Sequence, residues 1–171
     1  MDYKVLDMEK YYRKDIYRHF TMDCKCSVMI TSKIDVSELV AYSKQTGTKF
    51  YINFLYVLTK ALNTRDDYKM RYLYQEDKLV VFDKINTAHY VFHEDTETFT
   101  VVYTEFSEDY QAFYDRCCAD MEKAKQTRSY GLDGSKLNYF DASYISWLSY
   151  DALHVEPVSY THLRAHETTL H

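Results

Sequence analysis

Four short runs rich in β-branched and aromatic residues, placed between two amphipathic stretches, constrain the fold more than any other feature of this sequence. The runs cover residues 68–74, 78–82, 88–93 and 99–105. Residues of these types, bounded by turn residues, are typical of β-strands. The first two runs predict a hairpin that turns through residues 75–77. A chain with this order of elements cannot be purely helical.

Three helices are predicted around these strands. Asp35 and Glu38 stand three residues apart and resemble a capping box, which predicts a helix from Asp35 to near Gly47. A second helix is predicted from Tyr51, and a third lies after the fourth run. The last two carry apolar residues at helical spacing, namely Phe54, Leu55, Leu58, Ala61 and Leu62, then Tyr110, Phe113, Tyr114, Cys117 and Met121.

Two further strands complete the prediction. Residues 22–34 alternate loosely and contain Val28, Ile30 and Ile34, and residues 137–148 follow a polar loop at residues 126–136. Strands that alternate with helices, some joined by hairpins and some by crossovers, indicate an α/β layered fold with a mixed sheet. A chain of 171 residues suits one domain.

Charge and hydropathy exclude some classes of function. The chain has 21 basic and 26 acidic residues, a net charge of -5, which is the wrong sign for a nucleic-acid-binding surface. No stretch approaches the ~20 apolar residues that span a bilayer, and the N-terminus does not resemble a signal peptide. We therefore expect a soluble cytoplasmic protein. The cysteines Cys24, Cys26, Cys117 and Cys118 lack the spacing of zinc or redox motifs, so we interpret them as small buried hydrophobic residues.

Four local patterns together resemble the chloramphenicol acetyltransferase family. They are YRK at residues 12–14, TSKID at residues 31–35, VFHEDTETF at residues 91–99, and Ser143 four residues before Trp147. The third pattern is the most specific. The resemblance runs from about Tyr3 to about Val155, in the order and nearly the spacing of the family.

The resemblance implies a fold, a reaction and an assembly. The family's fold is a two-layer α/β sandwich, and the family forms trimers whose sites lie between subunits. Chloramphenicol is the acceptor, and acetyl-CoA is the donor. A histidine takes the proton of the drug's primary hydroxyl, and a serine hydroxyl donates to the tetrahedral oxyanion. These roles are physically suitable, because an imidazole titrates near working pH and a hydroxyl placed in advance stabilises the negative charge as it develops.

Carried over by position, the resemblance assigns Ser143 as the oxyanion donor and Arg13 as a structural residue. The family's base lies in a late HHxxxDG motif, which this sequence does not contain, and the late Asp that pairs with the early arginine is missing too. No histidine is therefore nominated as the base. The family's drug-pocket positions are matched by, or lie beside, His19, Phe20, Cys24, Cys26, Val28, Phe99 and Leu153.

The end of the chain departs from the family. Residues 156–171 resemble a translated sequencing adapter, so we expect a partial family domain at residues 1–155, incomplete at its C-terminus, and a foreign tail at residues 156–171. The tail's His162 and His166 are spaced for a helix, but no Glu stands beside the first histidine, and we predict no metal site.

These assignments leave three functions open and make structural expectations. The first is an acetyltransferase that is inactive in this form. The second is a binding protein without chemistry, and the third is an acyltransferase for another hydroxylated or amine acceptor. We expect the tail to be exposed and Arg13 to face solvent or a substitute carboxylate. We also expect a buried set of residues in the matched region: Phe54, Leu58, Leu62 and Trp147.

Overall fold

The computed structural model describes residues 2–24, 28–148 and 151. The chain divides into two compact units. The larger contains Met1–Tyr11 and Asp35–Ile145, and the smaller contains Tyr12–Ile34 and Ser146–His171.

The described elements follow the predicted order in the larger unit. Its strands are β1 (Tyr3–Val5), β2 (Met70–Leu73), β3 (Lys78–Phe82), β4 (Asn86–His93), β5 (Thr98–Thr104) and β6 (Tyr139–Ala142). The smaller unit contains helix α1 (Lys14–Arg18) and a π-helical turn (His19–Asp23). The remaining helices, all in the larger unit, are α2 (Ser37–Thr46), α3 (Phe50–Asn63), the 3₁₀ turn Asp66–Lys69 and α4 (Tyr110–Gln126).

Helix α2 begins and ends near the predicted residues, but the predicted capping box is not formed, because the N-cap is Val36 and no side chain caps it. The Asp35 carboxylate accepts hydrogen bonds from the backbone nitrogen of Ser37 at 2.9 Å and from its hydroxyl at 2.6 Å. These two hydrogen bonds lower the pKa of Asp35. At the other end Gly47 adopts a left-handed φ of 69°, a conformation that costs glycine little because it has no Cβ.

Two three-stranded sheets form the β part of the larger unit. One has the order β1-β3-β2 and is antiparallel, and its β2–β3 hairpin turns where the sequence predicted. The other has the order β5-β4-β6, with β4 antiparallel to β5 and parallel to β6. The predicted mixed sheet is confirmed.

Helices α3 and α4 pack together and against one face of the mixed sheet. Ile52 and Leu55 of α3 meet Phe113 and Cys117 of α4 in the main hydrophobic cluster. A second cluster joins α4 to the strands. The α4 stripe is therefore the buried face that its spacing predicted.

The buried face of α3 differs from the predicted one. Phe54, Leu58 and Leu62 are only half-buried, whereas Asn53 and Thr59 are buried. Helix α3 is apolar on most of its surface, so its pattern does not define one inward stripe. The polar residues are buried because their hydrogen bonds are satisfied: Asn53 donates to the hydroxyls of Ser43 and Thr48 and accepts from that of Tyr110, and Thr59 donates to the Leu55 carbonyl.

One strand prediction was wrong and another was wrong in extent. Residues 22–23 lie in the π-helical turn and residues 28–34 have no regular structure, because alternation forms a strand only where a neighbouring strand pairs with its backbone. The final strand ends at Ala142 rather than near residue 148. Trp147 therefore lies beyond the strand and is 72% exposed, not buried as expected.

None of the helices in the described part of the chain has the length and apolar character needed to cross a membrane.

Candidate functional site

The mixed sheet has one face that α3 and α4 do not cover, and its side chains are mainly aromatic. Successive side chains of a strand point to opposite faces. Phe92 lies opposite Phe99, and Ala88 lies beside Asp141, so these residues share one side of the sheet. The uncovered side therefore carries Tyr90 and Phe92 of β4, Phe99 of β5, and Tyr139 and Asp141 of β6. We call these five residues the aromatic face. Phe92 and Phe99 are each about half exposed, so the face is accessible at that end, whereas Ala88 and Val101 on the same side of the sheet are buried.

Ser143, the predicted oxyanion donor, directly follows β6 and is exposed. It stands two residues after Asp141, a residue of the aromatic face. The last residue of β6 in the parallel register is Ala142, which pairs with His89.

Phe99, a predicted pocket residue, lies across the same face. Its ring meets that of Tyr90 edge-on at 5.4 Å between centroids and that of Tyr130 at 6.4 Å. Phe99 pairs with Phe92, three residues beyond the last pair of β4 with β6, so the strand register does not itself place Phe99 beside Ser143.

Tyr90 contacts both Phe99 and Asp141 on the aromatic face. Its hydroxyl donates a 2.8 Å hydrogen bond to Asp141 Oδ1, across the β4–β6 pair. Partial burial, followed by the hydrogen bond to Asp141, raises the pKa of Tyr90, so the phenol stays protonated and remains a donor. Sequence reasoning missed both Tyr90 and Asp141. The sequence shows the alternation of side chains within each strand. It does not show that β4 pairs with β6, which begins 46 residues after β4 ends.

The other predicted site residues that the structure describes lie in the smaller unit. Arg13 is exposed, and its guanidinium lies 4.9 Å from the centroid of the Tyr12 ring, in accord with its expected turn toward solvent. His19 Nδ1 lies 3.5 Å from Asp23 Oδ2. The remaining described pocket candidates are also exposed: Phe20, Cys24 and Val28. Cys26, Leu153 and residues 156–171 lie outside the described residues.

His93, in the most specific of the sequence patterns, is held in a fixed structural role. Arg128 donates to its Nδ1 at 2.6 Å, so that nitrogen is an acceptor and the proton of the neutral ring lies on Nε2. Nε2 in turn lies 2.8 Å from the hydroxyl of Thr100, which contacts the backbone carbonyls of Thr127 and Ser129. Both nitrogens are engaged, which makes His93 a poor candidate for a base.

His89 lies on the opposite, helix-covered face and is fully buried. Thr104 donates to Asp120 at 2.9 Å, so its oxygen accepts from His89 Nε2 at 3.2 Å. Nδ1 therefore carries no proton and can act only as an acceptor, and it has no hydrogen-bond partner in the part of the chain that the structure describes. Burial lowers the pKa of His89 to about 4. The thiol of Cys117, 3.7 Å away, has its pKa raised to about 12 by burial and is not a reactive thiolate.

Acid should destabilise the fold through His89. The pKa of His89 in the folded chain lies below the ~6.5 of an unfolded histidine, so the unfolded chain binds more protons between these values. The free energy of unfolding should therefore fall by about 2 to 3 kcal/mol as the pH is lowered from about 6.5 to 4. Urea unfolding of the wild type and of His89→Gln across this range checks it. The variant should lose less stability on acidification; equal losses would contradict the prediction. Asp120, whose pKa burial raises, is present in both chains and cancels in the comparison.

No group of three or more His, Cys, Asp or Glu side chains within residues 2–24, 28–148 and 151 is arranged to hold a metal ion. The four histidines closest to the C-terminus, at positions 154, 162, 166 and 171, lie outside those residues.

Comparison with known proteins identifies the family. The family model described as chloramphenicol acetyltransferase matches residues 1–162. This chain belongs to that family. The match covers most of the chain and extends past residue 155, where sequence reasoning ended the family domain.

Individual relatives in the family are distant in sequence. A chloramphenicol acetyltransferase from Clostridium perfringens is 26% identical over 151 residues, which cover 88% of this chain and 68% of the relative. Chloramphenicol acetyltransferase 3 from Escherichia coli is 26% identical over 162 residues, which cover 94% of this chain and 75% of the relative.

A solved chloramphenicol acetyltransferase has a similar fold. It superimposes with a TM-score of 0.74 at 16% identity, over 91% of this chain and 70% of that structure. The predicted fold class, a two-layer α/β fold of the chloramphenicol acetyltransferase type, is confirmed.

Proposed function

We propose that this chain belongs to an enzyme that transfers an acetyl group from acetyl-CoA to the primary hydroxyl of chloramphenicol. The observation that supports this most strongly is the family match over residues 1–162. The relatives described above carry the same enzyme name at 26% identity.

Ser143 is proposed as the oxyanion donor. Attack of the drug's hydroxyl on the thioester creates a negatively charged oxygen, and a hydroxyl placed in advance stabilises that charge as it develops. The exposed position of Ser143, directly after β6, supports this role. A donor for a bound substrate has to be accessible, and Ser143 is.

The acceptor pocket is proposed to include Phe99, whose half-exposed ring packs on Tyr90. An aromatic ring offers apolar area to the nitrophenyl group of the drug. Arg13 remains a proposed structural residue. The other pocket positions remain proposals from the resemblance: His19, Phe20, Cys24, Cys26, Val28 and Leu153.

The base is the part of the mechanism that the described residues do not offer. His89 is buried on the other face, and both nitrogens of His93 are engaged. We therefore propose that the 171-residue polypeptide binds substrates without turnover. Its assembly is proposed to be a cytoplasmic homotrimer, as the family resemblance implies, and residues 156–171 are proposed to be foreign to the domain.

A binding protein without chemistry is the second candidate. The engagement of His93 and the burial of His89 favour it, because both nitrogens of His93 already have partners and His89 does not reach the surface. Both candidates predict acceptor binding, and they differ in whether a supplied base restores turnover.

Binding of chloramphenicol to the 171-residue polypeptide, measured by isothermal titration calorimetry, tests the shared part of the proposal. We expect saturable binding that Phe99→Ala weakens about 10-fold, because the ring loses apolar contact area worth on the order of 1 to 2 kcal/mol. Tyr68→Ala is a matched control, since Tyr68 is 53% exposed and Phe99 48% exposed. Equal affinities of the two variants would remove Phe99 from the acceptor site.

A further inference from the structure

A carboxylate lies on the aromatic face close to the proposed oxyanion donor. Asp141 is exposed and stands on β6, two residues before Ser143, which directly follows that strand. Within residues 2–24, 28–148 and 151, no cation forms an ion pair with Asp141. An acceptor bound beside Ser143 would lie close to this carboxylate, which is two residues away along the chain.

Tyr90 fixes the position of the carboxylate. Its hydroxyl occupies one acceptor site on Oδ1, at 2.8 Å, whereas an ionised carboxylate offers about four such sites. The Tyr90 ring is itself fixed against Phe99. Asp141 therefore keeps acceptor sites free while the rotation of its side chain is limited. A carboxylate held in this way is suited to accept a hydrogen bond from a donor group on a ligand.

The surroundings of Asp141 favour a cationic ligand. The aromatic rings nearest to it on the face are those of Tyr90 and Tyr139, whose faces carry negative potential that attracts cations. The guanidinium of Arg71 lies 5.3 Å from the Tyr139 ring centroid, and it donates to the Leu137 carbonyl at 2.6 Å. That cation is held by the backbone rather than paired with Asp141.

We propose that Asp141, positioned by Tyr90, is a specificity-determining residue that selects acceptors carrying an ammonium group close to the acetylated hydroxyl. The acceptor class is that of small aromatic amino alcohols. This inference rests on the proposed function, since it places Asp141 in the acceptor pocket of that same site. It departs from that function in the acceptor, because chloramphenicol carries a neutral amide at the equivalent position.

Two probes that differ in charge test the inference on the 171-residue polypeptide. One is chloramphenicol, and the other is the amine that remains when chloramphenicol loses its dichloroacetyl group, which keeps the nitrophenyl ring and both hydroxyls. Calorimetry at neutral pH is expected to show tighter binding of the amine. Asp141→Asn should weaken the amine about 5- to 10-fold, the reduced effect of a charge-assisted bond at an exposed site, and change chloramphenicol by less than twofold.

Asp115→Asn is the matched control, because Asp115 is an exposed carboxylate on α4 that also accepts one hydrogen bond, from Gln111 at 2.8 Å. It changes the net charge by the same amount and should leave both affinities unchanged. Circular dichroism of each variant establishes that the fold is retained. If Asp141→Asn weakens both probes equally, or if Asp115→Asn weakens the amine as much, the inference is overturned.

The outcomes also separate this inference from the proposed function. Chloramphenicol binding that depends on Phe99 but is accompanied by no preference for the amine would retain the function and overturn the role of Asp141. Amine binding that depends on Asp141, without chloramphenicol binding, would retain the role of Asp141 and overturn chloramphenicol as the acceptor. Binding of neither probe would overturn both.

Discussion

A chimera in which the C-terminal segment of a chloramphenicol acetyltransferase follows Leu153 is expected to acetylate chloramphenicol, whereas the 171-residue polypeptide is expected to show no measurable turnover. The segment supplies the HHxxxDG motif that this sequence lacks. Loss of a general base typically costs ~10² to 10⁴ in rate, and the segment also supplies binding surface. Thiol release from acetyl-CoA that depends on chloramphenicol measures both proteins.

The control for this chimera is the same graft with its catalytic histidine replaced by glutamine. It should bind chloramphenicol as the chimera does and release thiol no faster than the 171-residue polypeptide. Turnover by the 171-residue polypeptide itself would mean that one of its own histidines acts as the base. An inactive chimera that folds and binds both substrates would favour the hypothesis that this chain is a binding protein without chemistry.

Replacing Ser143 by alanine in the active chimera is expected to lower kcat by roughly 10² to 10³ with little change in KM for either substrate. The physical reason is that the hydroxyl meets negative charge only in the transition state, so its loss leaves ground-state binding nearly intact. Steady-state kinetics with each substrate varied in turn measure the effect.

Ser146→Ala provides the matched control, because Ser146 is also exposed and lies three residues further along the chain. It should keep full turnover. A Ser143→Ala chimera that retains full turnover would remove Ser143 from the site. Loss of binding together with turnover would instead indicate that the serine supports the pocket rather than the reaction.

The helices and hairpins that depend on local patterns were predictable from the sequence. The Asp35 carboxylate and Gly47 bound α2 within two residues of the predicted ends, and the α4 stripe buries Phe113 and Cys117 as its spacing requires. Helix capping and amphipathic spacing act over a few residues, so one segment contains all the information needed.

Predictions that depended on a partner element were less successful. Residues 28–34 alternate like a strand but have no regular structure, and Trp147 is exposed because β6 ends at Ala142. On α3, an apolar surface on most sides left the buried face undetermined. Asn53 lies on the face that is buried, where it donates to Ser43 of α2 and accepts from Tyr110 of α4. A strand or a buried face requires a second element, which local pattern does not identify.

The sequence by itself determined the family, through motifs at residues 12–14, 31–35 and 91–99, and it nominated Ser143 and Phe99 as site residues. Only the tertiary structure decided which residues accompany them. The parallel pairing of β4 with β6 brings Asp141 and Tyr90 together on the aromatic face, although 51 residues separate them. Strand register is set by long-range backbone pairing and by which faces are covered, and a shift of one residue would move every side chain to the other face.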